Sequence, residues 1–246
     1  MLNLLGLIYL TAHLLGDYYF QSKNISEKKN KYLLYLLIHL LIYTTVVFAI
    51  TLPFWSISLI VFNLIFSFIH FAIDLLKHIL HKMNRSGFTD KYSAHIYVID
   101  QALHILSILF ISALFPLNEN SVLFQILNFN ITGVYSPTVM KWLCLLLFIG
   151  KPANITFAKL FARHKPVYGE VESNNRTGAT IGILERLIIV TFMSIRQYSA
   201  IGLVLTAKSI ARYKMISEDK EFGEYYLIGT LVSVLSAVTA YLILFY

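Results

Sequence analysis

Apolar segments long enough to cross a membrane recur along this chain and leave room for little else. A spanning helix takes about 20 apolar residues. Such runs occupy residues 2–20, 32–52, 55–80 and 92–115. Another begins near residue 140, is interrupted by GKPAN (150–154) because Gly and Pro break or kink a helix, and resumes over 155–163. Residues 178–195, a shorter stretch at 198–212 set off by Arg196 and Gln197, and residues 222–246 complete the series. Charged residues make up 13% of the chain and hydrophobic ones 57%, against about 25% charged in a soluble domain. The expected fold is all-α: a polytopic transmembrane helical bundle with seven to eight membrane segments. Residues 1–115 form a four-helix core, 116–138 an extracytoplasmic loop in which VLFQILNFNI can lie as an interfacial helix, and 139–246 the helices that complete the same bundle. The first segment lacks a basic stretch ahead of it and contains His13 and Asp17, so it reads as a retained helix rather than a cleaved signal peptide.

The basic residues give the expected topology. Lys23, Lys28, Lys29 and Lys31 follow segment one; Lys77, Lys82, Arg85 and Lys91 surround the loop after segment three. Lys159, Arg163, Lys165 and Arg176, then Lys208, Arg212, Lys214 and Lys220, mark two more loops on the same side. These are 16 of the 20 Lys and Arg, and only Lys141, Lys151, Arg186 and Arg196 lie elsewhere. With positive loops inside, both termini lie outside and the chain crosses eight times. The net charge of +7 thus belongs to cytoplasmic loops, and no nucleic-acid partner is expected.

Ionisable groups inside the first four segments are the exception to their apolar character. His13 and Asp17, His70 and Asp74, and Asp100 and His104 are each spaced i, i+4, and His39 stands alone in segment two. That spacing puts both members on one helix face. Measured from the nearest basic loop residue at about 1.5 Å per residue, all seven lie roughly 5 to 20 Å deep, in the cytoplasmic half of a core about 30 Å thick. Asn63 and Ser67 extend the face of His70 and Asp74, Ser107 that of Asp100 and His104, and Tyr43 that of His39. Charges in a membrane are costly and by default face a bundle interior and act there.

Imidazole and carboxylate together are the ligand set of zinc and other divalent first-row metals. Catalytic zinc takes three protein ligands and keeps a position for water. His13, Asp17, His39, His70, Asp74, Asp100 and His104 exceed one ion's needs, so one or two ions are expected. Asp17, Asp74 or Asp100 is available as general base. The bland reading of any one pair is a His–Asp hydrogen bond that locks two helices. Arg186 and Lys208 are candidates for holding an anionic headgroup, although snorkelling is the ordinary role of a lysine placed like Lys208. His78, His81, His95 and His164, at helix ends or in loops, are expected to be solvated or interfacial. The lone Cys144 excludes an internal disulfide and a cysteine zinc site, and reads as a small buried hydrophobe. Gly229, Ser233, Ala237 and Ala240 form a small-residue packing stripe. Phosphate-binding glycine loops and G-x-S-x-G elbows are absent from the sequence.

The motifs AHLLGDYYFQ, LLIHLLIY, HFAIDLLK and VIDQALHIL resemble those of a bacterial inner-membrane family of unknown function, DUF3307. GKPAN, GILERLII, QYSAIGLVLTAKSIARY and EYYLIGTLVS resemble the C-terminal extension of its longer members. The resemblance implies the bacterial inner membrane as location and carries no activity. More loosely, the His/Asp pairs are similar to those of membrane-bound metal-dependent hydrolases. The layout also resembles the superfamily of alkaline ceramidases and adiponectin receptors, with the motifs in another order.

Three functions are expected. The first is a metal-dependent hydrolase acting on a lipid or membrane-associated substrate at the cytoplasmic side. The second is an ion- or proton-coupled transporter or channel using the buried His and Asp, with the broken helices as its site. The third is a non-catalytic scaffold whose basic loops recruit a cytosolic partner. Membrane lipids are the expected partners, together with a homo-oligomer or a cytosolic protein.

Overall fold

The computed structural model describes residues 2–83, 88–115, 135–164 and 175–246. The expected interfacial helix within 116–138 falls almost wholly outside the described residues. So does most of the loop over 164–177. Among the described residues every regular element is helical, with no strand. Six helical stretches among the described residues are long and apolar enough to cross a membrane: Leu33–Phe54, Ile57–Lys82, Ser93–Leu114, Pro137–Leu160, Thr177–Ser194 and Lys220–Phe245. The protein is a membrane protein, and burial is distributed accordingly. On one helix Phe68 is 68% exposed while His70, two residues on, is 1% exposed. On that helix Asn63, Ser67, His70 and Asp74 face inward while Leu64, Ile65 and Phe68 face outward, the reverse of what water selects.

The chain divides into two compact units, Met1–Leu147 and Phe148–Tyr246. In the first unit α1 (Leu4–Leu14) runs on into a π-helical turn (Leu15–Phe20). A short helix α2 (Lys23–Lys28) leads to α3 (Leu33–Thr51), and a tight 3-10 turn at Leu52–Phe54 leads to α4 (Ile57–Lys82). A one-turn helix α5 (Phe88–Lys91) precedes α6 (Ser93–Leu114). Pro53 stops α3, and Ser56 restarts the chain by accepting from the Leu59 amide at 3.1 Å. Helices α1, α3, α4 and α6 close a ring in that order, each packed on two neighbours. Asn3 clamps the ring: its Oδ1 caps α1 by accepting from Gly6 at 2.8 Å, and its Nδ2 donates to the Ser112 carbonyl on α6 at 2.6 Å. Helix α7 (Pro137–Ile149) sets Cys144, fully buried, against Thr11 of α1 at 3.1 Å.

The second unit holds α8 (Lys151–Leu160), α9 (Asn175–Ser194), α10 (Tyr198–Ala211), α11 (Tyr213–Glu218) and α12 (Lys220–Phe245). Helix α9 packs on α8, α10 and α12. Its end is a Schellman turn, with Gln197 N bonded to the Phe192 carbonyl at 2.8 Å and Arg196 N to that of Met193 at 3.1 Å. Arg196 occupies the left-handed position, φ 58°, that glycine usually fills. Arg196→Gly therefore relieves about 1 kcal/mol of backbone strain, and thermal unfolding in detergent should shift to higher temperature. The fourteen residues of α10 reach about 21 Å, short of a full crossing.

Candidate metal centre

The first unit's ring of helices brings the seven expected side chains into one pocket. All are buried except Asp17, whose side chain is still only 8% exposed. The i, i+4 partners are not the closest ones. Within a helix His13 Nδ1 lies 3.8 Å from Asp17 Oδ2, His70 Nε2 3.6 Å from Asp74 Oδ2, and His104 Nδ1 4.0 Å from Asp100 Oδ1. Between helices the distances shrink. His39 Nε2 lies 3.2 Å from His70 Nε2, 3.3 Å from Asp17 Oδ1 and 3.2 Å from Asp74 Oδ2, while His70 Nε2 lies 3.4 Å from Asp17 Oδ1.

These separations describe two triangles, His39–His70–Asp74 and His39–His70–Asp17, sharing the edge between the two imidazoles. Ligands that share one ion tetrahedrally at about 2.0–2.2 Å lie about 3.3–3.6 Å apart. Each triangle has the size of one face of such a polyhedron. His13, Asp17 and His70, and separately Asp74, Asp100 and His104, also bring donor atoms within 4.8 Å of one another. The pocket can hold a metal ion.

Local structure explains how the donors are aimed. Asp17 sits in the π-helical turn Leu15–Phe20, a rare geometry that recurs at functional sites because it re-aims one side chain. His39 is fixed by Gln21. In the amide orientation its neighbours select, Gln21 accepts from His39 Nδ1 at 3.0 Å and from Lys29 Nζ at 3.1 Å. A carbonyl oxygen only accepts, so Nδ1 carries a proton and Nε2 is the ring nitrogen that meets Asp17, Asp74 and His70. His70 is fixed by Tyr43, whose ring stacks on it at 3.5 Å between centroids and 12° between planes.

Tyr43 reaches that position because Gly16 has no Cβ. A methyl group there would lie 2.7 Å from Tyr43 Cδ2, and Tyr43 is fully buried. Gly16→Ala should therefore cost about 1–3 kcal/mol by overpacking. It should also weaken metal retention by tilting Tyr43 off His70; thermal unfolding and ion titration read the two effects.

Two lysines complete the pocket, and the sequence did not single them out as partners. Lys29 Nζ donates to Asp74 Oδ2 at 2.8 Å, and Lys77 Nζ to Asp100 Oδ2 at 2.9 Å. Burial works against the charge of Lys29, but the Asp74 carboxylate outweighs it and holds the ammonium pKa above its usual value. His78 departs from the expected solvated position. It is 7% exposed, and its Nδ1 meets the Lys29 carbonyl at 3.0 Å, which ties the loop after α2 to α4.

Arg186 and Lys208 lie in the second unit, and both hydrogen-bond within it. Arg186 is 4% exposed. Its Nε donates to the Ile149 carbonyl at 2.7 Å, and Nη2 to Asn154 Oδ1 at 2.6 Å. Lys208 Nζ donates to Glu185 Oε2 at 2.7 Å and to Thr230 Oγ1 at 3.1 Å. These contacts give both residues a helix-locking role.

A sequence model described as a protein of unknown function, DUF3307, matches residues 5–131. The chain belongs to the DUF3307 family. The match takes in all seven His and Asp side chains of this DUF3307 protein and ends before Arg186 and Lys208. No curated protein and no solved structure matches the chain.

Proposed function

We propose that this protein is a metal-dependent hydrolase of the bacterial inner membrane, with zinc or another divalent first-row ion between His39, His70, Asp17 and Asp74. The single observation that carries the reading is the pair of ligand-sized triangles on the His39–His70 edge. A bound ion would supply Lewis acidity and a lowered water pKa. Asp74 completes the ligand set. Asp17 takes the proton from the attacking water and delivers it to the leaving alcohol or amine as the ester, amide or phosphodiester bond breaks. Lys29 sits beside Asp74 with a charge suited to an anionic substrate oxygen. The substrate is a lipid or membrane-associated molecule reached from the cytoplasmic side, the side expected for the basic loops.

Elemental analysis of protein purified in detergent tests this. At least one tightly held ion per chain is expected, together with hydrolysis of a fluorogenic lipid ester or phosphodiester that chelation abolishes and metal restores. Protein that neither contains nor takes up an ion would end the reading.

A second reading draws on the buried pair Lys29–Asp74 and the part-buried pair Lys77–Asp100. Charges exchanged between such groups also serve ion or proton transport. Flux into proteoliposomes with no lipid turnover would select it.

A further inference from the structure

Asp100 and His104 present buried atoms that the His39–His70 centre does not use. Asp100 Oδ2 is occupied, accepting from Lys77 Nζ at 2.9 Å and Gln101 Nε2 at 3.1 Å. Its other oxygen, Oδ1, is buried without a hydrogen-bond partner. His104 Nδ1 donates to the Asp100 carbonyl at 2.7 Å. Since that carbonyl can only accept, the proton is on Nδ1 and Nε2 carries a lone pair. His104 Nε2 is likewise buried without a partner. The two residues are 6% and 2% exposed.

Two orphaned acceptors one helical turn apart are costly in a medium without water, at about 1–3 kcal/mol each. A cation that reached both would satisfy them at once. A third ligand stands ready, because an oxygen of Asp74, one of Asp100 and a ring nitrogen of His104 lie within 4.8 Å of one another. Asp74 also contributes a corner of the first centre.

We infer that Asp74, Asp100 and His104 hold a second divalent first-row cation, with Asp74 shared between the two ions. The inference rests on the metal reading of the first centre and deepens it. Paired ions of this kind clamp the attacking and leaving oxygens of a displacement.

The test is the ion count of the full chain in detergent, loaded with Mn2+ and desalted. Wild type should retain two ions per chain and give the multiline electron paramagnetic resonance spectrum of an exchange-coupled pair. His104→Gln should retain one ion and give the six-line spectrum of isolated Mn2+. One ion with a six-line spectrum in wild type overturns the second site and leaves the first standing. No ion in wild type removes both. Should His104→Gln fail to fold, the count and spectrum of wild type decide the matter alone.

Discussion

Asp74→Ala is expected to empty the metal centre and to destabilise the first unit by about 3–5 kcal/mol, the cost of leaving one member of a buried ion pair behind. The member left behind is Lys29, whose Nζ lies 2.8 Å from Asp74 Oδ2 and whose side chain is 7% exposed. Loss of bound metal after this single change would therefore be ambiguous, since a damaged fold also loses ligands. The double variant Lys29→Met, Asp74→Leu separates the causes. Replacing both charges by apolar groups of similar volume is often neutral or stabilising, so thermal stability should return to near wild type. The ion should not return, because Asp74 Oδ2 is a corner of the triangle on His39 and His70. A stable double variant with a full complement of metal would refute the proposed centre.

The same pair shows where the sequence stops being readable. Helical periodicity placed His70 and Asp74 on one face, and rise per residue placed the seven groups at one depth. Both follow from backbone geometry within single helices, and that much was legible. Periodicity also suggested that each His–Asp pair is a unit. The structure instead makes the contacts between helices shorter, 3.2–3.4 Å against 3.6–4.0 Å within a helix. Which faces meet depends on how four helices close a ring, and no local spacing encodes that. Lys29 belongs to a charged loop by composition, and 45 residues separate it from Asp74. Its burial needs the loop to fold back, held by His78 on the Lys29 carbonyl. The π-helical turn carrying Asp17 has no compositional signature that the spacing of His13 and Asp17 could reveal. Gly16 beside it did offer a signal, since a glycine within a helix usually marks a close approach.

Arg186→Met is expected to destabilise the second unit by several kcal/mol while leaving the metal content of the first unchanged. At Gly150 the helix containing Ile149 ends and α8 begins, with Pro152 near its start. The last carbonyls of a helix lack intrahelical partners, and in a bilayer no water is on hand to supply them. Arg186 Nε donates to the Ile149 carbonyl at 2.7 Å, Nη2 to Asn154 Oδ1 at 2.6 Å and Nη1 to Ser233 Oγ at 3.4 Å. One guanidinium thereby binds the helix break, α8 and α12 to α9. Each acceptor stranded by its removal costs about 1–3 kcal/mol. Arg186→Lys should rescue little, because an ammonium cannot span these acceptors with the planar fork. Thermal unfolding in detergent and elemental analysis of the same samples read the two outcomes. If Arg186→Met kept full stability and lost only lipid turnover, the guanidinium would be a headgroup ligand rather than a helix lock.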